Sequence, residues 1–302
     1  MTTAHDLFEP KLRVRSSGYG GSGYAIPTWL DDAGKPRRVP GVTTVLNALP
    51  KDGIVQWSVD NTVAYMIANL DRVLDLEDSV IFQKYRFYHS RKPNLDDPET
   101  SPYNAHEGVL NDAAEAGTFM HDFIASRVLG YFEPEPLTQQ HEEMANAFLE
   151  WEPNHDIEPL LVEGTVVNET FGYAGTLDHI WKLDGVTTLI DAKSSKKIYE
   201  SHVAQLAAIQ HAEYAMVEDE SGVPYKSKKW GVTNWSTGEI PEFTRVGVLQ
   251  CRFEDFDSKG TVVPAFCEFH EIDQARLDAG WKIFQSALDM KRAMLEYKEA
   301  SR

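Results

Sequence analysis

The sequence predicts an α/β (α+β) protein in which a central mixed β-sheet is flanked by helices. Three observations lead to this fold class. Between residues 42 and 130, apolar residues recur at three- and four-residue steps, which is the helical period. From about Ile157 the chain changes to short segments rich in β-branched and aromatic residues, separated by Phe-Gly and Asp-Gly turn signals. An amphipathic helix over about 273–299 then closes the chain, so helices both precede and follow the strands.

The N-terminal part is predicted to contain loops, short strands and several helices. Its first forty residues are rich in Gly and contain Pro, which indicates loops and short strands. The helical segments are expected at 42–50, 54–76, 111–130 and 137–151, with an exposed Pro-rich loop at 84–102. We therefore divide the chain into an N-terminal loop and helical region, 1–104, placed over a DNA cleft, and a core with its C-terminal helix, 105–302.

Strands dominate the predicted core. Three of them, 160–168, 173–183 and 187–193, follow one another with tight turns, which predicts hairpins. A helix is expected over about Ser201–Asp219, with Ser201 as its N-cap. Two further strands are expected at 245–253 and 262–272.

Composition limits the classes of function. The 302 residues contain 29 Lys plus Arg against 47 Asp plus Glu, a net charge of −18, which excludes a protein that coats nucleic acid with its whole surface. The two cysteines, Cys251 and Cys267, exclude a four-Cys zinc or iron–sulfur site, and we expect them to be buried free thiols. With no apolar leader and no membrane-length run, we expect a cytoplasmic protein, in the host cytoplasm if it is phage-encoded.

Two carboxylates and one ammonium carry the chemistry. Asp178 and Asp191 each end an apolar run, and the turn at Asp184–Gly185 folds the two strands onto each other. Lys193 lies two residues after Asp191, so the period-2 rule for strands points both side chains to one face. Paired carboxylates that bind a divalent cation, with an ammonium beside them, suit phosphodiester hydrolysis.

These residues resemble the PD-(D/E)xK nuclease superfamily, and within it nucleases of the RecB type. The family pattern is a Gly-x-x-Asp strand, a short turn and a strand ending in Asp-x-Lys. It is matched here by Gly175–Asp178 and by Asp191–Lys193. The stretch 41–57 is also similar to the start of phage and actinobacterial exonucleases of this group. The resemblance implies a restriction-endonuclease-like core, and with only two cysteines no iron–sulfur cluster is expected.

Three more matches extend the resemblance. The segment Gly117–His121 matches an upstream Gly-Thr-x-x-His helix, and Glu163 occupies the place of a Glu on the preceding strand. The third match is a Gln helix that follows the Asp-x-Lys strand, and it has two registers. Gln205 fits by spacing and context, whereas Gln210 and Tyr214 satisfy the literal Gln-x-x-x-Tyr motif. We favour Gln205 because it shares a helical stripe with small residues, and keep Gln210 with Tyr214 as the alternative.

The resemblance implies a set of roles. Metal ligands are His121, Asp178, Asp191 and the carbonyl of Ala192; Glu163 supports the metal or its water. Lys193 positions the attacking water, and Gln205 orients Lys193 or a phosphate. The DNA contacts are expected from Lys196 and Lys197, directly after the Asp-x-Lys strand, and from Gln210 and Tyr214.

The function that follows is a Mg²⁺- or Mn²⁺-dependent DNA exonuclease acting in recombination, replication or repair. Its partners are DNA ends, single- or double-stranded, and a recombination annealing protein or a helicase. Two alternatives stay open. One is a non-catalytic DNA-binding or assembly subunit with the same fold. The other takes His121-Asp122 as the metal pair of an HD-type phosphohydrolase, with His89 or His106 as a further ligand, and leaves Asp191-Ala-Lys193 unexplained.

Overall fold

The computed structural model describes residues 8, 11–16, 21–50, 54–68, 105–227, 229–256 and 259–301. The predicted loop at 84–102 and the end of the predicted helix at 54–76 lie outside them. Among the described residues, no helix has the length and apolar character needed to cross a membrane.

The strands form three sheets. A three-stranded antiparallel sheet contains β1 (Arg13–Ser16), β2 (Gly21–Leu30) and β3 (Pro36–Pro40). The central sheet has seven strands: β4 (Ile157–Asn168), β5 (Tyr173–Leu183), β6 (Val186–Lys193), β7 (Tyr214–Ser227), β8 (Gly231–Gly238), β9 (Arg245–Arg252) and β12 (Phe266–Glu271). The short strands β10 (Asp255–Phe256) and β11 (Val262–Val263) pair with each other.

The central sheet is mixed, as predicted. Its strand order is β12-β9-β6-β5-β4-β7-β8. The β6–β9 pair is parallel, and every other pair of neighbouring strands in this sheet is antiparallel. The parallel pair arises because α5 (Glu200–Gln210) and the β7–β8 hairpin lie between β6 and β9 in the chain. The predicted fold class, a mixed sheet flanked by helices, is confirmed.

Six helices are described. They are α1 (Val42–Leu46), α2 (Ile54–Ala68), α3 (Ala105–Leu129), α4 (Gln139–Trp151), α5 (Glu200–Gln210) and α6 (Gln274–Ala300). Side-chain oxygens of Thr138 and Asp273 cap the first turns of α4 and α6 by accepting backbone N–H groups. A short 3₁₀ turn, Glu152–Asn154, follows α4.

Among the described residues, two apolar clusters pack against the central strands. The larger one joins α1, α5 and α6 to the sheet, with Val45, Ala204, Leu206 and Phe284 fully or almost fully buried against Leu177. The smaller one packs the β1–β3 sheet on the central sheet through Leu12, Ile26, Val39, Val167, Ala174 and Met216. The strands β5 and β6 are therefore buried by layers that hold their backbones rigidly, which a precise site on them requires.

The turn between β5 and β6 follows its sequence. Asp184 and Gly185 both have positive φ, 52° and 81°, the left-handed backbone that a two-residue Asp-Gly hairpin turn needs. The Asp184 carboxylate also accepts the Asp156 N–H and pairs with His155. This turn fixes the register of β5 against β6, from Leu183 opposite Val186 to His179 opposite Ile190.

Two predictions of secondary structure were wrong. The helix expected over Ser201–Asp219 ends at Gln210, because residues from Tyr214 pair with β4 and then with β8. Tertiary pairing thus overrides local helical preference, and the β7–β8 hairpin was missed. The strand expected at 262–272 is divided into β11 and β12, and Pro264, which has no N–H, lies between them.

The cysteines also differ from expectation. Cys251 on β9 and Cys267 on β12 lie directly opposite each other, with Cα atoms 4.2 Å apart, and form a disulfide. Both had been expected to be free thiols. The sequence could not show this pairing, because it depends on the register of two strands.

The chain divides into two compact units. One contains Met1–Leu49 and Phe119–Arg302, and the other contains Pro50–Thr118. The residues of the candidate nuclease site belong to the first unit. The division expected from sequence, 1–104 and 105–302, stays a prediction.

The contact between α5 and α6 gives a stability prediction. A Cβ added at Gly280 would lie 2.9 Å from the carbonyl oxygen of Val203, a backbone atom that cannot easily move. Gly280→Ala is therefore expected to lower the free energy of unfolding by about 2 kcal/mol, although Ala is ordinarily the better helix residue. Urea denaturation measures the change. Ala279→Gly, at an exposed position next to it, should cost about 1 kcal/mol; a Gly280→Ala variant more stable than wild type would contradict the close packing.

Candidate active site

Three carboxylates meet at one level of the central sheet. On β4 and β5, Val162 pairs with His179 and Gly164 with Leu177, so Glu163 lies opposite Asp178. On β5 and β6, His179 pairs with Ile190, and one step further along the same register is Asp178 with Asp191. Asp178 thus lies in the middle of β5, not at its end, and has an acidic residue on each neighbouring strand.

The backbone at Glu163 is unusual. Its φ is 51°, in the left-handed region that a non-glycine residue rarely adopts and that costs about 1–3 kcal/mol. Asp184, the other described non-glycine residue with positive φ, is explained by its turn. Glu163 lies inside a strand, where no turn requires a positive φ, and its carboxylate lies 3.7 Å from His121 Nδ1.

His121 on α3 reaches the same carboxylates. Its Nδ1 atom is 3.7 Å from Glu163 Oε1 and 3.5 Å from Asp178 Oδ2. Burial by itself lowers the pKa of His121, but the carboxylates of Asp178 and Glu163 outweigh burial and raise it to about 9. Two carboxylates therefore attract positive charge at this point, and without another cation His121 supplies it.

Asp191 and Lys193 form the second half of the site. Lys193 Nζ is 2.7 Å from Asp191 Oδ1 and donates to the Ala192 carbonyl at 3.2 Å. The Ala192 N–H donates to Asp178 Oδ2 at 2.8 Å, which joins the two halves. Asp191 Oδ2 is buried and has no hydrogen-bond partner among the described residues. A buried carboxylate oxygen without a partner is costly unless a ligand satisfies it.

The charges of Asp191 and Lys193 influence each other's pKa values. Burial is the main cause that raises the pKa of Asp191, to about 6, against the opposing charge of Lys193. Burial would lower the pKa of Lys193, but Asp191 and Asp178 outweigh it and raise the pKa above its usual value. Lys193 therefore stays protonated, so it can donate hydrogen bonds and carry positive charge but cannot act as a base at neutral pH.

The first turns of α5 approach this pair. Burial, followed by the positive charge of Lys193, lowers the pKa of His202 to about 4, while Asp191 opposes this shift. Sequence reasoning missed His202. Gln205 is three residues later on the same helical face and is half-buried. The sequence does contain a signal for His202, because it lies three residues before Gln205 and a helix places both on one face.

The alternative Gln and Tyr lie apart from this face. Gln210 is the last residue of α5, about 140° around the helix from Gln205, and its Oε1 is buried without a partner among the described residues. Tyr214 begins β7, and its hydroxyl donates to Glu169 at 2.6 Å. The literal Gln-x-x-x-Tyr motif is therefore divided between a helix and a strand.

The loop after β6 is held to the sheet. Gln250 and Arg252 on β9 donate to the carbonyls of Ser195 and Ser194 at 2.6 and 2.9 Å. Lys196 pairs with Asp255 at 2.6 Å, and Lys197 lies over the Tyr199 ring at 5.5 Å. Of the two lysines expected to contact DNA, Lys196 is thus already paired with a carboxylate.

The donor set suits a hard divalent cation. His121, Glu163 and Asp178 each offer a ligand atom, and these atoms lie within 4.8 Å of one another. Carboxylate oxygens are the ligands that Mg²⁺ and Mn²⁺ prefer, and imidazole is a common ligand of divalent transition metals. Asp191 is not part of this group of three, but it lies opposite Asp178 on the neighbouring strand and its Oδ2 atom has no partner among the described residues. The residues present therefore fit a metal site.

Comparisons with known proteins add little. No protein-family model matches the chain, and no curated protein matches it. Among solved structures, the chain is similar to the crystal structure of LHK-Exo in complex with dAMP. The identity is 14%, the match covers 68% of this chain and 87% of that chain, and the TM-score is 0.29. So low a score carries no argument, and the chemistry of the site depends on its own geometry.

The strained backbone at Glu163 can be tested directly. Glu163→Gly and Glu163→Ala remove the same carboxylate but differ in the cost of positive φ. We expect the Gly variant to be more stable than the Ala variant by about 1 kcal/mol, the reverse of the usual order in a strand. Urea denaturation in EDTA measures both. An Ala variant as stable as the Gly variant would show that Glu163 does not need the left-handed conformation.

The metal site gives a separate prediction. Mn²⁺ at about one hundred times its dissociation constant should stabilise the wild type by about 2.7 kcal/mol, since the ligands come together only in the folded state. This stabilisation is measured as an increase in melting temperature on addition of Mn²⁺. Asp178→Asn should abolish most of that increase. Asp184→Asn removes a carboxylate from the β5–β6 turn and should keep the increase. Equal responses of the two variants to Mn²⁺ would contradict a site at Asp178.

Proposed function

We propose that this protein is a metal-dependent DNA exonuclease of the PD-(D/E)xK type, which hydrolyses phosphodiester bonds at DNA ends in recombination, replication or repair. The observation that carries the proposal is the placement of His121, Glu163 and Asp178 next to the Asp191–Lys193 pair. Ligands for a cation and a protonated lysine at one level of a rigid sheet are the parts that phosphodiester hydrolysis requires.

His121, Glu163, Asp178 and Asp191 would hold Mg²⁺ or Mn²⁺, with the Ala192 carbonyl available once Lys193 turns away from it. A bound divalent cation would polarise a phosphate oxygen and lower the pKa of water. Neutralising this cluster also removes the repulsion between the carboxylates and an anionic DNA backbone. The acidic cluster therefore suits a DNA substrate only together with its cation.

Lys193 has the role of a positioned donor. Its ammonium is held by Asp191 and stays protonated, so it can donate a hydrogen bond to the attacking water and offset the negative charge that develops on the phosphate. Water would add to phosphorus and lose a proton to solvent, while the bond from phosphorus to the 3′ oxygen breaks and that oxygen takes up a proton from solvent. The products are a 5′-phosphate and a 3′-hydroxyl, as the superfamily resemblance implies.

Residues of α5 would hold Lys193 in place. His202 carries little positive charge at neutral pH because its pKa is about 4, so it does not compete with Lys193 for Asp191. Gln205, on the same helical face, can orient Lys193 or a phosphate oxygen. In this proposal Lys197, in the loop after β6, contacts the DNA backbone. Lys196 also contacts it, once a phosphate replaces Asp255 as its partner. Gln210 and Tyr214 remain the alternative match to the Gln-x-x-x-Tyr motif, with DNA contacts of their own.

The two other functions predict different results. A non-catalytic DNA-binding subunit would bind DNA without cleaving it. An HD-type phosphohydrolase would depend on Asp122 and not on Lys193. The pairing of Lys193 with Asp191, and the direction of His121 toward strand carboxylates, favour the nuclease. Residues 1–104 over the DNA cleft, and an annealing protein or helicase as partner, remain part of the same proposal.

Cleavage by matched lysine variants tests this function. Lys193→Met should reduce the turnover of end-labelled linear DNA with Mg²⁺ or Mn²⁺ by about 10²–10³-fold, the usual cost of losing a group that stabilises developing charge. Lys182→Met, a surface lysine on β5 that pairs with Glu158, should retain activity. Both variants should keep the Mn²⁺-induced increase in melting temperature. Activity of Lys193→Met at the wild-type level would contradict the assigned role.

The form of the DNA separates exonuclease from endonuclease. We expect linear duplexes to be degraded from their ends and closed circular plasmid to remain intact under the same conditions. EDTA should stop the reaction. Nicking of the closed circle would show that the protein is an endonuclease and not an exonuclease. Cleavage in EDTA would contradict the metal-dependent mechanism.

A further inference from the structure

A second basic region lies on the β2–β3 hairpin, outside the candidate active site. A cavity of about 660 Å³ is lined there by Lys35, Arg37 and Arg38, and by Tyr225 of β7. The cationic residues are about 190 positions from Tyr225 in the sequence, so the fold brings them together. We name this set of four residues the hairpin surface.

The cations of the hairpin surface lack acidic partners. Within the described ranges, none of Lys35, Arg37 and Arg38 forms an ion pair, whereas Arg127, Lys193 and Lys196 pair with carboxylates at 3.0, 2.7 and 2.6 Å. In a chain with 47 acidic and 29 basic residues, three adjacent cations without a carboxylate partner are available for an anion from outside.

The acidic residues of the cavity do not cancel this charge. Asp31 and Asp32 also line it, but Asp31 Oδ1 accepts the backbone N–H groups of Ala33 and Lys35 at 2.9 Å each. That carboxylate closes the hairpin turn. The lining therefore has three cationic and two acidic side chains, which leaves a formal charge of +1.

Aromatic rings accompany the cations. The Arg37 guanidinium lies over the Trp29 ring at 4.9 Å from its centroid, and Tyr225 lines the same cavity as Arg38. A guanidinium that lies over a ring can still donate its N–H groups to phosphate oxygens. Cations beside aromatic rings form the usual combination in proteins that bind nucleic-acid strands.

The hairpin surface is linked through β2 to β5, the strand that carries Asp178. Tyr24 shares a hydrogen bond of 2.8 Å with Thr176, which lies two residues before Asp178 on β5. The next residue of β2, Ala25, lines the cavity. The hairpin surface and β5 are therefore connected through two consecutive residues of β2.

We propose that Lys35, Arg37, Arg38 and Tyr225 form a second nucleic-acid site that binds backbone phosphates of the DNA outside the active site. This inference rests on the proposed function for the identity of the substrate. The hairpin surface would supply the attraction that the acidic remainder of the protein cannot, so its contribution is electrostatic and independent of sequence.

Fluorescence anisotropy of a labelled DNA duplex, titrated with wild-type protein in EDTA, tests this site. At roughly 100 mM salt the variant Arg37→Ala/Arg38→Ala should bind about tenfold more weakly, and the slope of log affinity against log salt should fall by about 2. Lys35→Ala removes one exposed cation with little risk to folding, and the slope should fall by about 1. Arg37→Lys/Arg38→Lys retains the charge and should restore most of the slope.

The control is Lys282→Ala/Lys298→Ala, which removes two exposed cations of α6 and should bind like wild type. Wild-type affinity and slope in the Arg37/Arg38 and Lys35 variants would overturn the proposal, as would an equal loss in the control. If a polyglutamate peptide binds more tightly than DNA, with the same dependence on Arg37 and Arg38, the ligand of the hairpin surface is an acidic protein and not a nucleic acid. Cleavage with Mn²⁺ is measured separately: a wild type that binds but does not cleave would refute the nuclease and leave the hairpin surface standing.

Discussion

The alignment of Glu163, Asp178 and Asp191 across β4, β5 and β6 is the constraint on which the site depends. It follows from the strand register, and the register follows from the Asp184–Gly185 turn and the buried faces of the strands. A one-residue slip would turn Asp178 to the other side of the sheet. The protein offsets this concentration of negative charge with His121 and Lys193, and a divalent cation would offset it more completely.

Several features of the fold serve this alignment. Helices α1, α5 and α6 bury one set of strand side chains and fix the backbone, while α3 brings His121 and α5 brings His202 and Gln205. The strained backbone of Glu163 and the unsatisfied oxygen of Asp191 are costs that a well-packed sheet can bear. Both costs make sense if a cation binds to these carboxylates.

How far the sequence predicts the structure depends on whether information is local. Strands β4, β5 and β6, and the same-face placement of Asp191 and Lys193, were predicted because alternation and turn chemistry are local. The end of α5, the β7–β8 hairpin and the Cys251–Cys267 pair were not, because each depends on pairing between distant strands. His202 was missed because its position near Asp191 depends on how α5 packs on the sheet. The basic cluster Lys35, Arg37 and Arg38 is visible in the sequence, but its closeness to Tyr225 depends on how the β1–β3 sheet packs on the central sheet. The net charge of −18 indicated only that positive charge must be local.

We propose that the carboxylates on β4, β5 and β6 share a divalent cation. An anomalous difference map from crystals of the protein grown with Mn²⁺ tests this sharing without any assay of activity. We expect a manganese peak bonded to His121, Glu163, Asp178 and Asp191, with Lys193 outside the coordination sphere. A map without a peak at this position, at a Mn²⁺ concentration that supports DNA cleavage, would contradict it.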